Sequence, residues 1–222
     1  MRKFVPAYEG NLRKHALSVP RCISECSGIR VFGRRIKSLV FSTDVAIIKN
    51  INADAIIAVY PFTPQPAITQ AIIGVSEVPV FCGVGGGLTN GVRSASMAAY
   101  VEHQGAYGVV CNSKIGVETI HAIKDAVEIP VVYTVISENT DIQPYLTAGV
   151  DIINVSGAAR TPEIVGALGQ RYPELPIIAT GGPTEESILA TIRAGANAIT
   201  YTPPSSASLF AKTMADNRSE LE

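Results

Sequence analysis

The residues best placed for chemistry are two adjacent glycines, Gly181 and Gly182, which follow Thr180 and the apolar run 175–178. The pattern after them predicts a helix that begins within a few residues. Adjacent glycines let the backbone approach a ligand closely, and the N-terminus of a helix presents unpaired N–H groups. Such a turn is typical of a site for phosphate or another anion. A tight strand-to-helix turn without a ligand explains the same residues.

Eight short apolar runs supply the strands that must position this turn. The runs are continuous rather than alternating, which indicates strands buried on both faces of a parallel sheet. Some begin beside a proline, which is tolerated at the first residue of a strand, and others follow a glycine that ends a helix. The predicted strands are 38–42, 55–59, 80–82, 108–111, 131–134, 152–155, 177–179 and 198–201.

Helical patterns fill the intervals between these strands, with apolar residues at spacings of three and four. They cover 67–75, 93–104, 117–127, 142–148, 162–171 and 185–194. Strands of one type recur about 44 to 53 residues apart, which is typical of a repeated βαβα unit. We therefore predict an α/β protein, a single (β/α)8 TIM barrel over residues 38–222. An open, doubly wound sheet is the alternative.

Residues 1–37 form a predicted N-terminal extension that is rich in basic side chains. These are Arg13, Lys14, Arg21, Arg30, Arg34, Arg35 and Lys37. A cap on the N-terminal mouth of the barrel, a subunit contact and a flexible arm all fit this composition.

A TIM barrel binds its ligands at the C-terminal ends of the strands, and phosphate commonly lies at the loops after the seventh and eighth strands. The turn at Thr180, Gly181 and Gly182 is the first of these two loops. In the second, Ser205 and Ser206 open the last helix and offer hydroxyl and N–H donors. This placement predicts a phosphate site built from these five residues.

Polar residues just after the other strands are candidates for catalysis. Asp44 follows the first strand and is suited either to take a proton as a general base or to cap the next helix. Lys114 is suited to neutralise an anionic substrate or is simply an exposed residue, and Glu138 is the third acid–base candidate. We predict these three as the catalytic residues, with Asn112, Asn154, Ser156, Gly85 and Gly86 lining the substrate.

Several other classes of chemistry lack support. No lysine falls within a predicted strand, which disfavours a Schiff-base aldolase, and no G-x-S-x-G turn indicates a serine hydrolase. No cluster of histidines or carboxylates indicates a metal site. Cys22 and Cys26 are four residues apart without a second pair at zinc spacing, and Cys82 is interpreted as barrel lining.

Composition restricts the class of protein and the partners that fit it. The chain has 222 residues, of which 47% are hydrophobic and 17% charged, with a formal net charge of −1. This balance predicts a well-buried globular protein without a nucleic-acid or membrane-surface partner. No apolar stretch reaches the roughly 18 residues that a membrane helix needs. We expect a cytoplasmic protein, and a homodimer is a reasonable expectation from the statistics of oligomer symmetry.

The segment 175–206, with its A-T-G-G turn and the glycine before the eighth strand, resembles the phosphate end of the ribulose-phosphate-binding barrel superfamily. The chain also resembles small bacterial barrels that often carry a generic hydrolase label, which implies no mechanism. One departure is Pro203-Pro204, where members of the superfamily commonly have a second glycine-rich turn. Two prolines remove two backbone donors, so Ser205 or Ser206 must supply the contact there.

The resemblance implies an enzyme that acts on a small phosphorylated metabolite by isomerisation, epimerisation, lyase or hydrolytic chemistry. We expect it to need no cofactor. One alternative is a non-catalytic regulator that uses the same site. Another is an oxidoreductase that holds flavin mononucleotide (FMN) by its phosphate in the same two loops.

Overall fold

A computed structural model describes residues 3–8, 10, 12 and 14–219, so that Arg13 lies outside the described residues. Eight parallel strands form a closed barrel in chain order, with the last strand paired to the first. Two short antiparallel strands, β1 (Ile29–Val31) and β2 (Arg34–Ile36), precede it as a hairpin. The barrel strands are β3 (Ser38–Phe41), β4 (Ala55–Ala58), β5 (Val80–Gly85), β6 (Gly108–Cys111), β7 (Val131–Val135), β8 (Ile152–Val155), β9 (Ile177–Thr180) and β10 (Ala198–Tyr201).

A helix follows every barrel strand, as the (β/α)8 pattern requires. The helices are α1 (Val45–Asn50), α2 (Pro66–Val75), α3 (Val92–His103), α4 (Val117–Ala126), α5 (Gln143–Thr147), α6 (Thr161–Arg171), α7 (Glu185–Arg193) and α8 (Ser206–Ser219). Short 3-10 helices lie at Arg21–Glu25 and Ala158–Arg160. The predicted TIM barrel is confirmed. None of the helices in the described ranges is long and apolar enough to span a membrane.

Alternation along each strand divides the core into two clusters. Inward-facing residues such as Leu39, Phe81 and Val132 fill the barrel, whereas their neighbours pack against the helices. Cys82 belongs to the outer cluster, so its interpretation as barrel lining is wrong. Burial raises the pKa of its thiol to about 12.

The hairpin β1–β2 closes the N-terminal end of the barrel. Its apolar side chains Ile29, Val31 and Ile36 are buried in the same cluster as the barrel interior. Phe32 at the hairpin turn makes an edge-on ring contact with Tyr107, which lies just before β6. Of the three roles that the sequence left open for the extension, residues 29–36 thus act as a cap, with the arginines on the exposed side.

Candidate functional site

A cavity of about 700 Å³ opens at the C-terminal end of the barrel, in the size range of small-molecule sites. The strand ends and the loops that follow them supply its walls, and the hairpin closes the opposite end of the barrel. A ligand therefore enters through the C-terminal mouth.

One half of the cavity wall is polar but uncharged. Four adjacent strands, β7 to β10, contribute Thr134, Asn154, Thr180 and Thr200. Each lies two residues beyond an inward-facing apolar residue, so the pleat turns its side chain into the barrel. Thr134 is in register with Asn154, and Thr180 with Thr200.

On the other half of the wall the strands contribute apolar side chains, while Tyr60, Asn112 and Lys114 lie in the loops that follow them. The apolar side chains include Phe41, Ile57 and Val110 from β3, β4 and β6. Phe62 and Leu88 lie at the rim and are largely exposed, at 68% and 81% of their surface. The site thus suits a ligand with one apolar face and one face that forms hydrogen bonds.

The glycine cluster after β5 forms part of the wall because it packs tightly against the loop after β6. Gly86 has φ +94°, and a Cβ there would lie 2.6 Å from the carbonyl oxygen of Asn112. The N–H of Asn112 donates to the carbonyl oxygen of Gly85 at 2.9 Å. The predicted lining residues Gly85, Gly86 and Asn112 do lie at the cavity, as do Asn154 and Ser156.

Lys114 is the one charged side chain that lines the cavity among the described residues. Two other lysines are paired: Lys49 with Glu77 at 2.5 Å and Lys124 with Asp151 at 2.8 Å. Within the described part of the chain, Lys114 has no carboxylate within salt-bridge distance. The site therefore carries a single, uncompensated positive charge.

Asp44 is engaged elsewhere. Its Oδ1 accepts hydrogen bonds from the N–H groups of Ala46 (3.0 Å) and Ile47 (3.3 Å), and its Oδ2 accepts one from the N–H of Ser206 (3.1 Å). The carboxylate caps both α1 and α8 and does not line the cavity. The Ser206 hydroxyl, together with these N–H groups, holds the pKa of Asp44 below its usual value. Of the two roles that the sequence left open, the structure shows the capping one.

This contact also changes the predicted phosphate site. At the N-terminus of α8, the Asp44 carboxylate occupies the position that an anion would take. The Ser205 hydroxyl caps the same helix by accepting from the N–H of Ser208 at 3.1 Å. Neither Ser205 nor Ser206 lines the cavity.

The turn after β9 is similarly engaged. The N–H of Gly181 donates to the carbonyl oxygen of Thr200 at 3.2 Å, and Gly182, with φ +81°, packs against Ser187. Helix α7 closes its own N-terminus with a capping box between Thr184 and Ser187, and carries two acidic residues in its first turn. Of the five residues predicted to bind phosphate, only Thr180 lines the cavity among those described.

Glu138 lies beside the mouth and pairs with Arg160. The N–H of Glu138 itself and the Arg160 guanidinium hold the pKa of this carboxyl below its usual value. Glu138 is not among the residues that line the cavity. A carboxylate held in an ion pair and kept ionised is a poor proton donor at neutral pH.

Sequence reasoning missed Thr200, which it placed inside the eighth strand without assigning it a role. The alternation of the strand was the available signal: Ala198 faces inward, so Thr200 must as well. The apolar rim at Phe62 and Leu88 was also missed, because loop residues follow no periodicity that sequence can reveal.

The sequence matches no protein-family model and no curated protein. Among solved structures, the fold is similar to a phosphoenolpyruvate phosphomutase from Streptomyces platensis subsp. rosaceus, with TM-score 0.62, 16% identity and coverage of 82% of this chain and 80% of that chain. It is also similar to a phosphonopyruvate hydrolase in complex with oxalate and Mg²⁺, with TM-score 0.62, 16% identity and coverage of 88% and 83%.

A third similar structure is 2,3-dimethylmalate lyase, a member of the PEP mutase/isocitrate lyase superfamily, with TM-score 0.63, 14% identity and coverage of 90% and 85%. At such identities the similarity shows the fold alone. It supports the (β/α)8 barrel but not the ribulose-phosphate-binding superfamily specifically.

The cavity residues do not fit a Mg²⁺ ion held by carboxylates. Mg²⁺ prefers oxygen ligands that include one or two carboxylates, and no Asp or Glu lines the cavity among the described residues. No group of three His, Cys, Asp or Glu side chains that could hold a metal occurs in the described part of the chain. The phosphate of FMN would meet the Asp44 carboxylate at the loop before α8, so this group fits the two loops poorly as well.

Proposed function

We propose that the protein is an enzyme that acts on a small organic acid bound in the cavity at the C-terminal mouth, with Lys114 as the counter-charge of the acid group. The observation that carries the proposal is the single unpaired cation in an otherwise neutral cavity. Lys114 is exposed at the cavity mouth, where its ammonium can form charge-assisted hydrogen bonds, so an anionic ligand complements the site and a cationic one does not.

The size and polarity of the cavity support a metabolite rather than a macromolecule. About 700 Å³ accommodates a small acid with room for a second group, and the two-sided wall orients it. The acid group is a carboxylate or a phosphate, since both form charge-assisted hydrogen bonds with an ammonium.

The finer version of this proposal places a phosphate at the loops after β9 and β10. Thr180 at the cavity wall and the N-terminal ends of α7 and α8 support it. The Asp44 carboxylate and the capping box of α7 count against it, because they occupy the donors that the phosphate would need. We therefore favour Lys114 as the anchor of the acid group.

The residues available for chemistry are few. Lys114 and Tyr60 are the ionisable side chains on the described cavity wall. An ammonium next to a carbonyl or a leaving oxygen stabilises negative charge that develops there, and the wall hydroxyls orient the substrate. We propose no catalytic role for Asp44 or Glu138, whose carboxylates are held elsewhere.

A non-catalytic binding protein is the second candidate, and one observation favours it. The described cavity wall lacks a carboxylate and a histidine, the commonest proton-transfer groups of enzymes. An enzyme converts the bound acid, whereas a regulator releases it unchanged. Product analysis by NMR after prolonged incubation distinguishes the two. The homodimer and the cytoplasmic location stay predictions.

Replacing Lys114 tests the proposal directly. We expect Lys114→Met to weaken the binding of acids by about tenfold or more, the effect of losing a hydrogen bond to a charged group. The exposed lysine of α8 supplies a matched control, Lys212→Met, which should bind as the wild type does. Affinity is measured by calorimetry against small carboxylates and sugar phosphates. Equal affinities in the wild type and Lys114→Met would contradict the proposal.

A further inference from the structure

Two buried oxygen atoms at the polar wall lack a hydrogen-bond partner. They are Oδ1 of Asn154 on β8 and Oγ1 of Thr200 on β10. Both residues are more than nine-tenths buried, with exposures of 9% and 6%, and both line the cavity. Such oxygens are usually paired in native proteins, so two of them on one wall call for an explanation.

The neighbouring groups do not satisfy these oxygens. The Nδ2 of Asn154 donates to Oγ1 of Thr134 at 3.3 Å, which engages one end of the amide and leaves the other without a partner. Turning the amide over exchanges Oδ1 for Nδ2 and still leaves one atom unpaired. Thr180 lies between the two residues on β9, in register with Thr200. The missing partners must therefore come from inside the cavity.

The chemistry of the missing partner is restricted. An amide oxygen only accepts, so it requires a donor, whereas the Thr200 hydroxyl both donates and accepts. An ammonium group would donate, but no carboxylate on the described wall would compensate its charge. A carboxylate at the same place would oppose the lone pairs of Asn154 Oδ1 and suits only the turned-over amide, which presents Nδ2. A hydroxyl is neutral, donates and accepts, and fits either orientation of the amide.

We infer that the substrate is a hydroxylated acid, whose hydroxyl binds Asn154 and Thr200 at the polar wall while its acid group binds Lys114. This inference rests on the proposed function and adds the specificity-determining residues for a second group of the substrate. Asn154 and Thr200 select against acids that lack the hydroxyl, because the apolar part of such an acid lies against both oxygens without pairing them.

The test uses the full chain with three probes: gluconate, hexanoate and sorbitol. Gluconate and hexanoate are six-carbon acids with and without hydroxyls, and sorbitol carries the hydroxyls without the acid. The variants are Thr200→Val, which preserves shape, and Asn154→Leu. The matched control is Thr191→Val, since Thr191 is also buried but its hydroxyl donates to the carbonyl oxygen of Ser187 within α7, away from the cavity.

We expect the wild type to bind gluconate at least about tenfold more tightly than hexanoate, and each wall variant to lose that preference. Thr191→Val should keep the preference of the wild type. A merely structural role of Thr200 predicts a change in stability without a change in selectivity.

The outcomes separate the two claims. Equal binding of gluconate and hexanoate by the wild type overturns the hydroxyl site and leaves the acid site standing. Binding of sorbitol as tight as that of gluconate, sensitive to Thr200→Val but not to Lys114→Met, overturns the proposed function and keeps the hydroxyl site. No binding of any of the three probes overturns both.

Discussion

At the scale of the residue, the contacts of one side chain, Asp44, argue against two predictions. The sequence offered it as a base and offered Ser206 as a phosphate ligand. In the structure the N–H of Ser206 donates to the carboxylate of Asp44, 162 positions away in the chain. This hydrogen bond links the N-termini of two helices. A carboxylate at a helix N-terminus is stabilised by the unpaired N–H groups and by the helix dipole. The same forces that would attract a phosphate therefore hold this side chain.

We expect Asp44→Ala to lower the free energy of unfolding at neutral pH by about 1–2 kcal/mol, the effect of losing an N-cap. The folded pKa of Asp44 is lowered, so its stabilisation is present above the ordinary carboxyl pKa of about 3.9 and is lost as the pH falls through the folded pKa. Urea unfolding at neutral pH and at successively more acidic pH should show the difference from the wild type shrinking. The exposed Asp216→Ala on α8 is the control. A difference that is independent of pH would contradict the capping role.

At the scale of the element, the sequence predicted the barrel strands closely and missed the hairpin. The strands are continuous apolar runs and therefore stand out, as at Ile152–Val155, where prediction and structure coincide. Each hairpin strand covers only three residues, too few to establish a period, and only β1 alternates buried apolar and exposed residues. The partner of the hairpin, the barrel interior, exists only once the fold has formed. The cavity residues that lie on strands could be predicted from strand alternation. Those in the loops could not, because contacts between loops follow no period in the sequence.

The hairpin stabilises the barrel by filling its N-terminal end. We expect Ile36→Ala to lower the free energy of unfolding by about 2–5 kcal/mol, because Ile36 is 2% exposed within the inner cluster. Ile136→Ala is the control, since Ile136 is 56% exposed and should change stability by no more than about 0.5 kcal/mol. Equal effects of the two substitutions in urea unfolding would show that the hairpin is a loosely attached arm.

At the scale of the whole molecule, the two ends of the barrel have different tasks. The N-terminal end is sealed by apolar side chains of the hairpin, and the C-terminal end keeps a cavity with unpaired oxygens and an unpaired cation. Polar groups left without partners destabilise a folded protein, so their concentration at one end favours a role in binding. This asymmetry supports the mouth as the functional face more strongly than any single residue does.

The asymmetry predicts which end of the molecule responds to a ligand. The chain contains no tryptophan, so a single introduced indole reports from one place alone. Phe62 at the mouth and Phe32 on the hairpin are matched sites, with 68% and 62% of their surface exposed. We expect the fluorescence of Phe62→Trp to change on saturation with whichever small acid binds, because the ligand enters past that rim, and the fluorescence of Phe32→Trp to stay constant. A response at residue 32 that equals or exceeds that at residue 62 would show that the ligand binds elsewhere or that the hairpin opens to admit it.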